Sequence, residues 1–203
     1  IRYAPIGISN AMGPSWVDPR SGEIVNASVY VFHDIVKLVN NWRFIQTAQA
    51  DKSVRSVKLP REVMDDALRY VVTHEVGHCL GFMHNMSSSS VIPVDSLRSP
   101  SFTQKYGTTT SIMDYARFNY AAQPEDNIDP EDLIPRIGEY DEFAIEWGYR
   151  QFPGMDAAAE KAALRAIAER AKGNPALYYA PMKSFGYRVN PNDLGQDKLQ
   201  AAL

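Results

Sequence analysis

The segment THEVGHCLGFMHN, residues 73–85, contains three of the four histidines of the chain and constrains its fold more than any other segment. His74 and His78 are four residues apart, so on a helix their rings project from the same face, about one turn apart. Gly81 follows at a position where a helix can end in the left-handed conformation that glycine adopts easily. The chain can then turn back and bring His84 toward the first two rings.

Three histidines arranged in this way predict a catalytic zinc site. Zinc takes imidazole nitrogens at about 2.0–2.1 Å, and catalytic sites keep one position open beside three protein ligands. Glu75 lies one step round the helix from His74, so it need not be a ligand and can approach a metal-bound water instead. The alternative is a core helix whose histidines are only hydrogen-bonded, which the added glycine and third histidine disfavour.

The segment HEVGHCLGFMH matches the pattern H-E-x-x-H-x-x-G-x-x-H in full and therefore resembles the metzincin zinc peptidases. Those enzymes carry a methionine turn beneath the zinc, and SIMDY, centred on Met113, is the candidate here. The wider context, formed by GPSWVDPRSGEI, SIMDYARFNY and IGEYDEFAIEWGY, resembles the bacterial Met-zincin domain family. This resemblance extends from about Gly13 to Tyr149.

The resemblance implies an α+β fold: a metzincin-like zinc peptidase domain, helix-rich, with a small N-terminal sheet and a zinc-binding active-site helix. It also assigns roles to five residues: the zinc ligands His74, His78 and His84, the general base Glu75 and the turn residue Met113. Tyr115 would move between zinc ligation and stabilisation of the reaction intermediate. The alternative for Tyr115 is a packing residue whose hydroxyl finds a backbone partner.

Two functional classes follow from these residues. The first is a zinc-dependent endopeptidase that hydrolyses peptide bonds in a protein or peptide substrate. The second is a non-catalytic, zinc-containing module that binds a peptide or glycoprotein without cutting it. Glu75 favours the enzyme, because a former enzyme often loses its base before its ligands. Members of the resembled family are parts of large exported proteins, so we expect an exported protein (periplasmic, cell-surface or secreted) and a larger multidomain chain.

Composition excludes several other classes. The net charge of −3 is spread without a basic stripe, so nucleic acid is not an expected partner. No apolar run is long enough to predict a membrane span. The single cysteine, Cys79, excludes an internal disulfide and is interpreted as a buried, inert thiol. The sequence opens without a leader, so we expect a mature or excised fragment.

Residue patterns predict the order of elements. Residues 1–32 look strand-like, with IVNASVYVF as strand and DPRSGE as a turn that belongs either to a hairpin or to the entry of a strand. DIVKLVNNWRFIQTAQA predicts a helix that buries one face. That face consists of Ile35, Leu38, Val39, Trp42 and Ile45. A second helix should start at Pro60, continue through the histidines with Val76 on its buried face, and stop at Gly81.

From residue 86 onward, loops alternate with two further predicted helices. SSSSVIPVDSLRSP and AAQPEDNIDPEDLIP look like loops, whereas EYDEFAIEWGY and DAAAEKAALRAIAERAKG look helical, the latter closing at Gly173. The tail NPNDLGQDKLQAAL carries only weak signals. We expect residues 1–150 to form the catalytic domain, with some of its N-terminal part outside this sequence, and residues 151–203 to form a helical C-terminal extension of the same domain.

Four other features allow two interpretations each. His33 is expected to be a local cap or a surface residue. The NASVYVF strand is either an edge along which an extended peptide lies or an interior strand. Glu142 and Glu146 could supply a third ligand in a thermolysin-like arrangement, which His84 makes unnecessary. A run of acids is either a calcium site or, since it lacks regular spacing, a solvated loop. That run is Glu125, Asp126, Asp129, Glu131 and Asp132.

Overall fold

A computed structural model of the chain describes residues 1–181, in which two small N-terminal sheets precede a series of helices. The strands are β1 (Arg2–Ala4), β2 (Ala11–Met12), β3 (Ser15–Val17), β4 (Ile24–Ala27) and β5 (Tyr30–Phe32). In the first sheet β5 lies in the centre, parallel to β1 and antiparallel to β2. β3 and β4 form a separate antiparallel pair. The predicted mixture of helices with a small N-terminal sheet is confirmed.

The predicted hairpin is confirmed, and its turn lies between β3 and β4. The Gly22 N–H donates to the Asp18 carbonyl at 2.8 Å, and Gly22 has φ +79°, which explains a glycine at this position. The segment IVNASVYVF is not one strand, because Ser28 and Val29 separate β4 from β5 in different sheets. For β5, the interior-strand alternative is correct.

The first two helices, α1 (Ile35–Thr47) and α2 (Arg61–Cys79), pack against each other and form the main core with β2. The prediction that Ile45 belongs to the buried face of α1 is wrong, because 73% of it is exposed. The buried stripe instead follows i, i+4 spacing and includes Arg43. Burial of that guanidinium is possible because it reaches the Asp51 carboxylate and the Pro130 carbonyl, both at 3.1 Å.

The ends of α2 follow the local chemistry of the sequence. Pro60 is the N-cap residue and the helix begins at Arg61, one residue later than predicted. Gly81 ends the helix with φ +88°, and its N–H donates to the His78 carbonyl at 2.9 Å. The Phe82 N–H donates to the Gly77 carbonyl at 3.0 Å. These two hydrogen bonds define a Schellman motif, so the predicted glycine stop has this form. Val76, predicted on the buried face, is 38% exposed.

Two short helices interrupt the region that was predicted as loop: α3 (Val94–Leu97) and α4 (Pro100–Tyr106). The last two, α5 (Glu139–Tyr149) and α6 (Ala157–Glu169), coincide with the predicted helical segments. α6 ends before Gly173, whose φ is +74°. The tail segment NPNDLGQDKLQAAL lies outside the described residues.

The C-terminal part of the described chain packs onto the rest through α5. Both α6 and a short 3-10 turn at Pro175–Leu177 contact α5. Residues 178–180 then hydrogen-bond to Asn85, directly after the last histidine of the quoted segment. The division at residue 150 stays a prediction. Within residues 1–181, no helix has both the length and the apolar character needed to cross a membrane.

Candidate metal centre

The three histidines predicted as ligands come together at the C-terminal end of α2. His84 Nε2 lies 3.2 Å from His74 Nε2 and 3.0 Å from His78 Nε2. α2 supplies two rings from one face, and the turn at Gly81 returns the chain so that the third ring meets them. Among the described residues, these three histidines are the group of side chains able to hold a metal ion.

Backbone carbonyls determine which nitrogen of two rings carries the proton. His74 Nδ1 lies 2.7 Å from the Ile112 carbonyl, and His78 Nδ1 lies 2.8 Å from the Phe82 carbonyl. A carbonyl oxygen only accepts, so Nδ1 must donate in both contacts. In the neutral rings Nε2 is therefore unprotonated, and its lone pair faces the other two histidines. This is the arrangement in which histidine binds metal.

The electrostatics of the cluster favour neutral imidazoles. Burial lowers the pKa of His74 to about 4, against the raising effect of its hydrogen bond to Ile112. Burial also lowers the pKa of His84 to about 3, and the two neighbouring histidines lower it further. Neutral imidazole is the form that ligates metal, so the His74 and His84 rings are ready to bind at neutral pH.

The spacing of the nitrogens fits one cation. Lone pairs that face one another at 3.0–3.2 Å repel unless a positive charge lies between them. A tetrahedral ion with bonds of about 2.0–2.1 Å holds its ligand atoms about 3.3 Å apart. The donor set, three imidazoles without a carboxylate or thiolate, is that of a zinc site with room for a further ligand. The residues therefore fit Zn²⁺.

Met113 lies beneath the histidines and is fully buried. Its sulfur packs against the backbone of α2 at Gly77, where a Cβ would overlap Met113 Sδ. The Met113 carbonyl also accepts the Asn85 N–H at 3.1 Å. The turn predicted from SIMDY thus contacts both α2 and the segment after the third histidine. The role of Gly77 was missed, although the residue stands inside the zinc pattern.

Asp141, in the first turn of α5, holds this methionine turn in place. Its carboxylate accepts hydrogen bonds from Ser111 Oγ at 2.6 Å, from the Ile112 N–H at 2.7 Å and from the Gly138 N–H at 2.9 Å. Burial raises the pKa of Asp141, and these three hydrogen bonds oppose that effect. Because the Ile112 carbonyl accepts from His74, Asp141 positions a candidate ligand through a single residue, Ile112. No pattern in the sequence marks Asp141 as part of the metal centre.

Only 9% of the Glu75 surface is exposed, yet this residue faces the same space as the histidines. Burial raises its pKa to about 7, and a hydrogen bond from the Gly13 backbone N–H lowers it in part. Gly13 approaches so closely that a Cβ there would overlap the Glu75 carbonyl oxygen. The segment between β2 and β3 therefore forms a wall beside this carboxylate. In the sequence, Gly13 is only the first residue of the segment GPSWVDPRSGEI, which carries part of the family resemblance.

An open cleft of about 760 Å³ exposes the histidines and Glu75 together. It lies between the β2–β3 segment, α1 and α2. Tyr115 lines it as well, with its ring centroid 4.4 Å from that of His84 and 5.8 Å from that of His74. Burial raises the pKa of Tyr115, so its hydroxyl keeps its proton at neutral pH. The residues predicted for zinc ligation and catalysis therefore line one cavity. They are His74, His78, His84, Glu75 and Tyr115.

Comparison with known proteins identifies the family. The family model described as Met-zincin matches residues 56–203, more than half of the chain. The chain belongs to the Met-zincin family. The matched region of this Met-zincin contains all three histidines and continues past Tyr149, where the resemblance had been expected to become loose. It leaves out the N-terminal sheets. No curated protein and no solved structure matches the chain.

Other candidate residues lie elsewhere in this Met-zincin. His33 is exposed, and its Nδ1 lies 2.6 Å from the Tyr3 hydroxyl. Glu146 forms ion pairs with Arg150 and Arg170, so it does not approach the histidines. Glu142 is exposed on the same helix, α5. The two glutamates are therefore not third ligands.

Cys79 is half-buried rather than buried as predicted. It is the last residue of α2 and directly follows His78. Burial nevertheless raises the pKa of its thiol, and the charge of Glu75 raises it further. A thiol held in its protonated form is a poor nucleophile, in agreement with the prediction of an inert cysteine.

Part of the acidic run pairs with arginine side chains instead of facing solvent alone. Arg98 pairs with Asp126 at 2.9 Å and with Glu125 at 3.2 Å. Asp132 is buried and pairs with Arg136 at 3.1 Å. Within residues 1–181, the run contains no group of carboxylates close enough to share a cation. Arginine pairing, which the spacing of acids alone does not reveal, explains this loop.

Proposed function

We propose that this chain is a zinc-dependent endopeptidase in which three histidines hold the ion and Glu75 is the general base. The observation on which this proposal rests is that three histidine Nε2 atoms converge beside the buried Glu75 carboxylate in one open cleft. Membership of the Met-zincin family supports a zinc metallopeptidase. The proposed ligands are His74, His78 and His84.

Zinc at this position would supply a Lewis acid that activates water near neutral pH and polarises the scissile carbonyl. The protein contributes orientation. Hydrogen bonds from His74 to Ile112 and from His78 to Phe82 keep both rings in the tautomer that binds metal. Asp141 supports the first of these contacts by accepting the Ile112 N–H, and Met113 packs against α2 at Gly77, so the ligands are held before the ion binds.

Glu75 moves the proton in the proposed reaction. Its carboxylate takes a proton from the water whose oxygen attacks the scissile carbonyl carbon. When the carbon–nitrogen bond breaks, the same carboxyl group gives this proton to the departing nitrogen. The Gly13 N–H lies beside this carboxylate and lowers its pKa, which favours the charged form that accepts a proton.

Tyr115 is proposed to stabilise the negative charge that develops on the carbonyl oxygen. Its ring lies against the His84 ring, and its protonated hydroxyl can donate a hydrogen bond. In a Tyr115→Phe variant we expect about 100-fold slower cleavage with unchanged zinc content. An unchanged rate would show that Tyr115 only packs against the histidines.

The test compares the parent with Glu75→Gln, using denatured protein as substrate and zinc analysis of both proteins. We expect the parent to cleave, a chelator to stop it, and Glu75→Gln to be at least about 100-fold slower while keeping its zinc. Glu160→Gln, which removes an exposed carboxylate from α6, is the matched control and should cleave like the parent. A His84→Ala variant should lose both zinc and activity.

Zinc-loaded parent that is inert toward every substrate would overturn the peptidase proposal. Binding of a peptide or glycoprotein without cleavage would then identify the alternative, a non-catalytic zinc module. Export and membership of a larger protein stay predictions. Fractionation of the source cells tests export, and the size of the intact protein detected in the fractions tests whether the chain is part of a larger protein.

A further inference from the structure

The cleft continues past the histidines into a recess between α1 and α2. Its walls there are mainly apolar or aromatic side chains. They are Ile35, Leu38, Trp42, Tyr70 and Val71. One cationic side chain, that of Arg117, joins this lining. A positive charge in such a recess needs an explanation, because apolar walls do not compensate it.

The direct contacts of the Arg117 guanidinium are with neutral groups. Its Nη1 donates to the Tyr115 carbonyl at 3.1 Å, and its guanidinium carbon lies 4.4 Å from the Trp42 ring centroid. Among the salt bridges within residues 1–181, none includes Arg117. The buried Asp114 carboxylate interacts electrostatically with Arg117 without forming an ion pair with it, and accepts the Ser89 N–H at 2.7 Å.

Other half-buried or buried arginines of the chain are treated differently. Arg43 reaches Asp51, and Arg136 reaches Asp132. The Arg117 side chain is half-buried too, but it contacts the Trp42 ring and the Tyr115 carbonyl and forms no ion pair with a carboxylate among the described residues. A guanidinium has five N–H donors in a planar fork that matches a carboxylate. Several of these donors remain for a ligand in the cleft.

We infer that Arg117 binds a carboxylate of the substrate close to the scissile bond, an inference that rests on the proposed function. The position follows from the chain: Arg117 comes two positions after Tyr115, whose ring lies against His84, and two positions span at most about 7 Å along the backbone. The carboxylate can belong to an aspartate or glutamate side chain, or to a free C-terminus. Arg117 is therefore a specificity-determining residue.

The first experiment measures cleavage sites in a peptide library by mass spectrometry. We expect the parent to prefer glutamate or aspartate over glutamine or asparagine by about 10- to 100-fold at one position beside the cut, or to cut near free C-termini. Arg117→Gln should reduce that preference to about threefold or less. Arg61→Gln, at the exposed start of α2, is the control and should keep the preference.

Two arms of the library separate the sources of the carboxylate. In one arm every peptide has an amidated C-terminus, so only side chains can supply the charge. In the other arm glutamine and asparagine replace all acids, and the C-terminus is free. Arg117→Lys keeps the charge but lacks the planar fork, so we expect an intermediate preference. This variant also keeps the test valid if Arg117→Gln folds poorly.

A binding measurement makes the inference independent of turnover. Fluorescence polarisation of labelled peptides on zinc-loaded Glu75→Gln compares each acidic peptide with its amide counterpart. We expect the acidic peptide to bind about 10-fold more tightly, and this difference to vanish when Arg117→Gln is added. Equal affinities, or binding of neither peptide, would overturn the inference. Cleavage without any preference for acids would do so as well, while leaving the peptidase proposal intact.

Discussion

At the residue scale, single glycines determine whether the histidine cluster can form. Gly81 could be recognised from the sequence, because a left-handed helix stop depends only on neighbouring residues. Gly77 and Gly13 could not, since each is required by a contact with a residue distant in the chain. Gly77 leaves space for the Met113 sulfur, and Gly13 lies against the backbone of Glu75.

Gly77→Ala should destabilise the protein, although alanine is the better helix former. The added methyl would overlap Met113 Sδ, and over-packing of this kind costs about 1–3 kcal/mol of the free energy of unfolding. That loss exceeds the gain of about 1 kcal/mol expected from helix propensity. Urea denaturation of the zinc-free proteins measures the difference.

Gly148→Ala is the matched control for this prediction. Gly148 also lies in a helix, α5, but a Cβ there has no heavy atom within 4 Å. This variant should be as stable as the parent or more stable, by up to about 1 kcal/mol.

A double variant tests the contact between Gly77 and Met113 directly. We expect Gly77→Ala combined with Met113→Ala to lose less free energy of unfolding than the sum of the losses in the two single variants. Strict additivity would show that the methyl and the sulfur do not collide.

At the element scale, helices with a clear pattern were predictable and short ones were not. α5 coincides with the segment EYDEFAIEWGY. α4 was missed because serine and proline suggest a loop, whereas here Pro100 occupies the first turn and Ser99 caps the helix. The prediction that Ile45 is buried was wrong because it used only the spacing of apolar residues. That spacing does not show that Arg43 is buried on α1 through its ion pair with Asp51.

Asp141→Asn should weaken the metal centre from a neighbouring element. Asparagine can keep its oxygen on both backbone N–H groups only if its NH₂ group faces Ser111 Oγ, so the hydrogen bond with Ser111 is reversed and the negative charge that strengthens the other two is lost. We expect a loss of about 1–3 kcal/mol in the free energy of unfolding. Because the Ile112 carbonyl that orients His74 would shift, zinc affinity should fall about 10- to 100-fold. Competition with a chromogenic chelator measures that affinity.

Asp156→Asn provides the comparison on another helix. Asp156 caps α6 by accepting the Ala159 N–H, and asparagine caps a helix about equally well. Neither stability nor zinc affinity should change by more than about 0.5 kcal/mol. If Asp141→Asn lowered stability but left zinc affinity at the parent value, Asp141 would support α5 without orienting His74.

At the scale of the whole molecule, the metal centre joins parts of the chain that no local pattern connects. The mixture of helices and a small sheet could be predicted, because it follows from periodicity and from the resemblance carried by the zinc segment. The return of residues 178–180 to Asn85 could not, since nothing in NPALYYA marks it as a partner of the histidine segment. Burial and backbone pairing across the fold decide that contact.

Asn85→Ala should loosen this C-terminal segment and the metal centre together. The Asn85 side chain is fully buried, donates to the Tyr178 carbonyl at 2.8 Å and accepts the Ala180 N–H at 3.0 Å. Its loss leaves both groups without these partners and should cost about 2–4 kcal/mol of the free energy of unfolding. Limited proteolysis should then cut near residue 178, and zinc affinity should fall, because Asn85 directly follows His84. Asn41→Ala, exposed on α1, should change neither quantity. Faster proteolysis with unchanged zinc affinity would mean that the segment after residue 150 is independent of the metal centre, and that the predicted single domain is wrong.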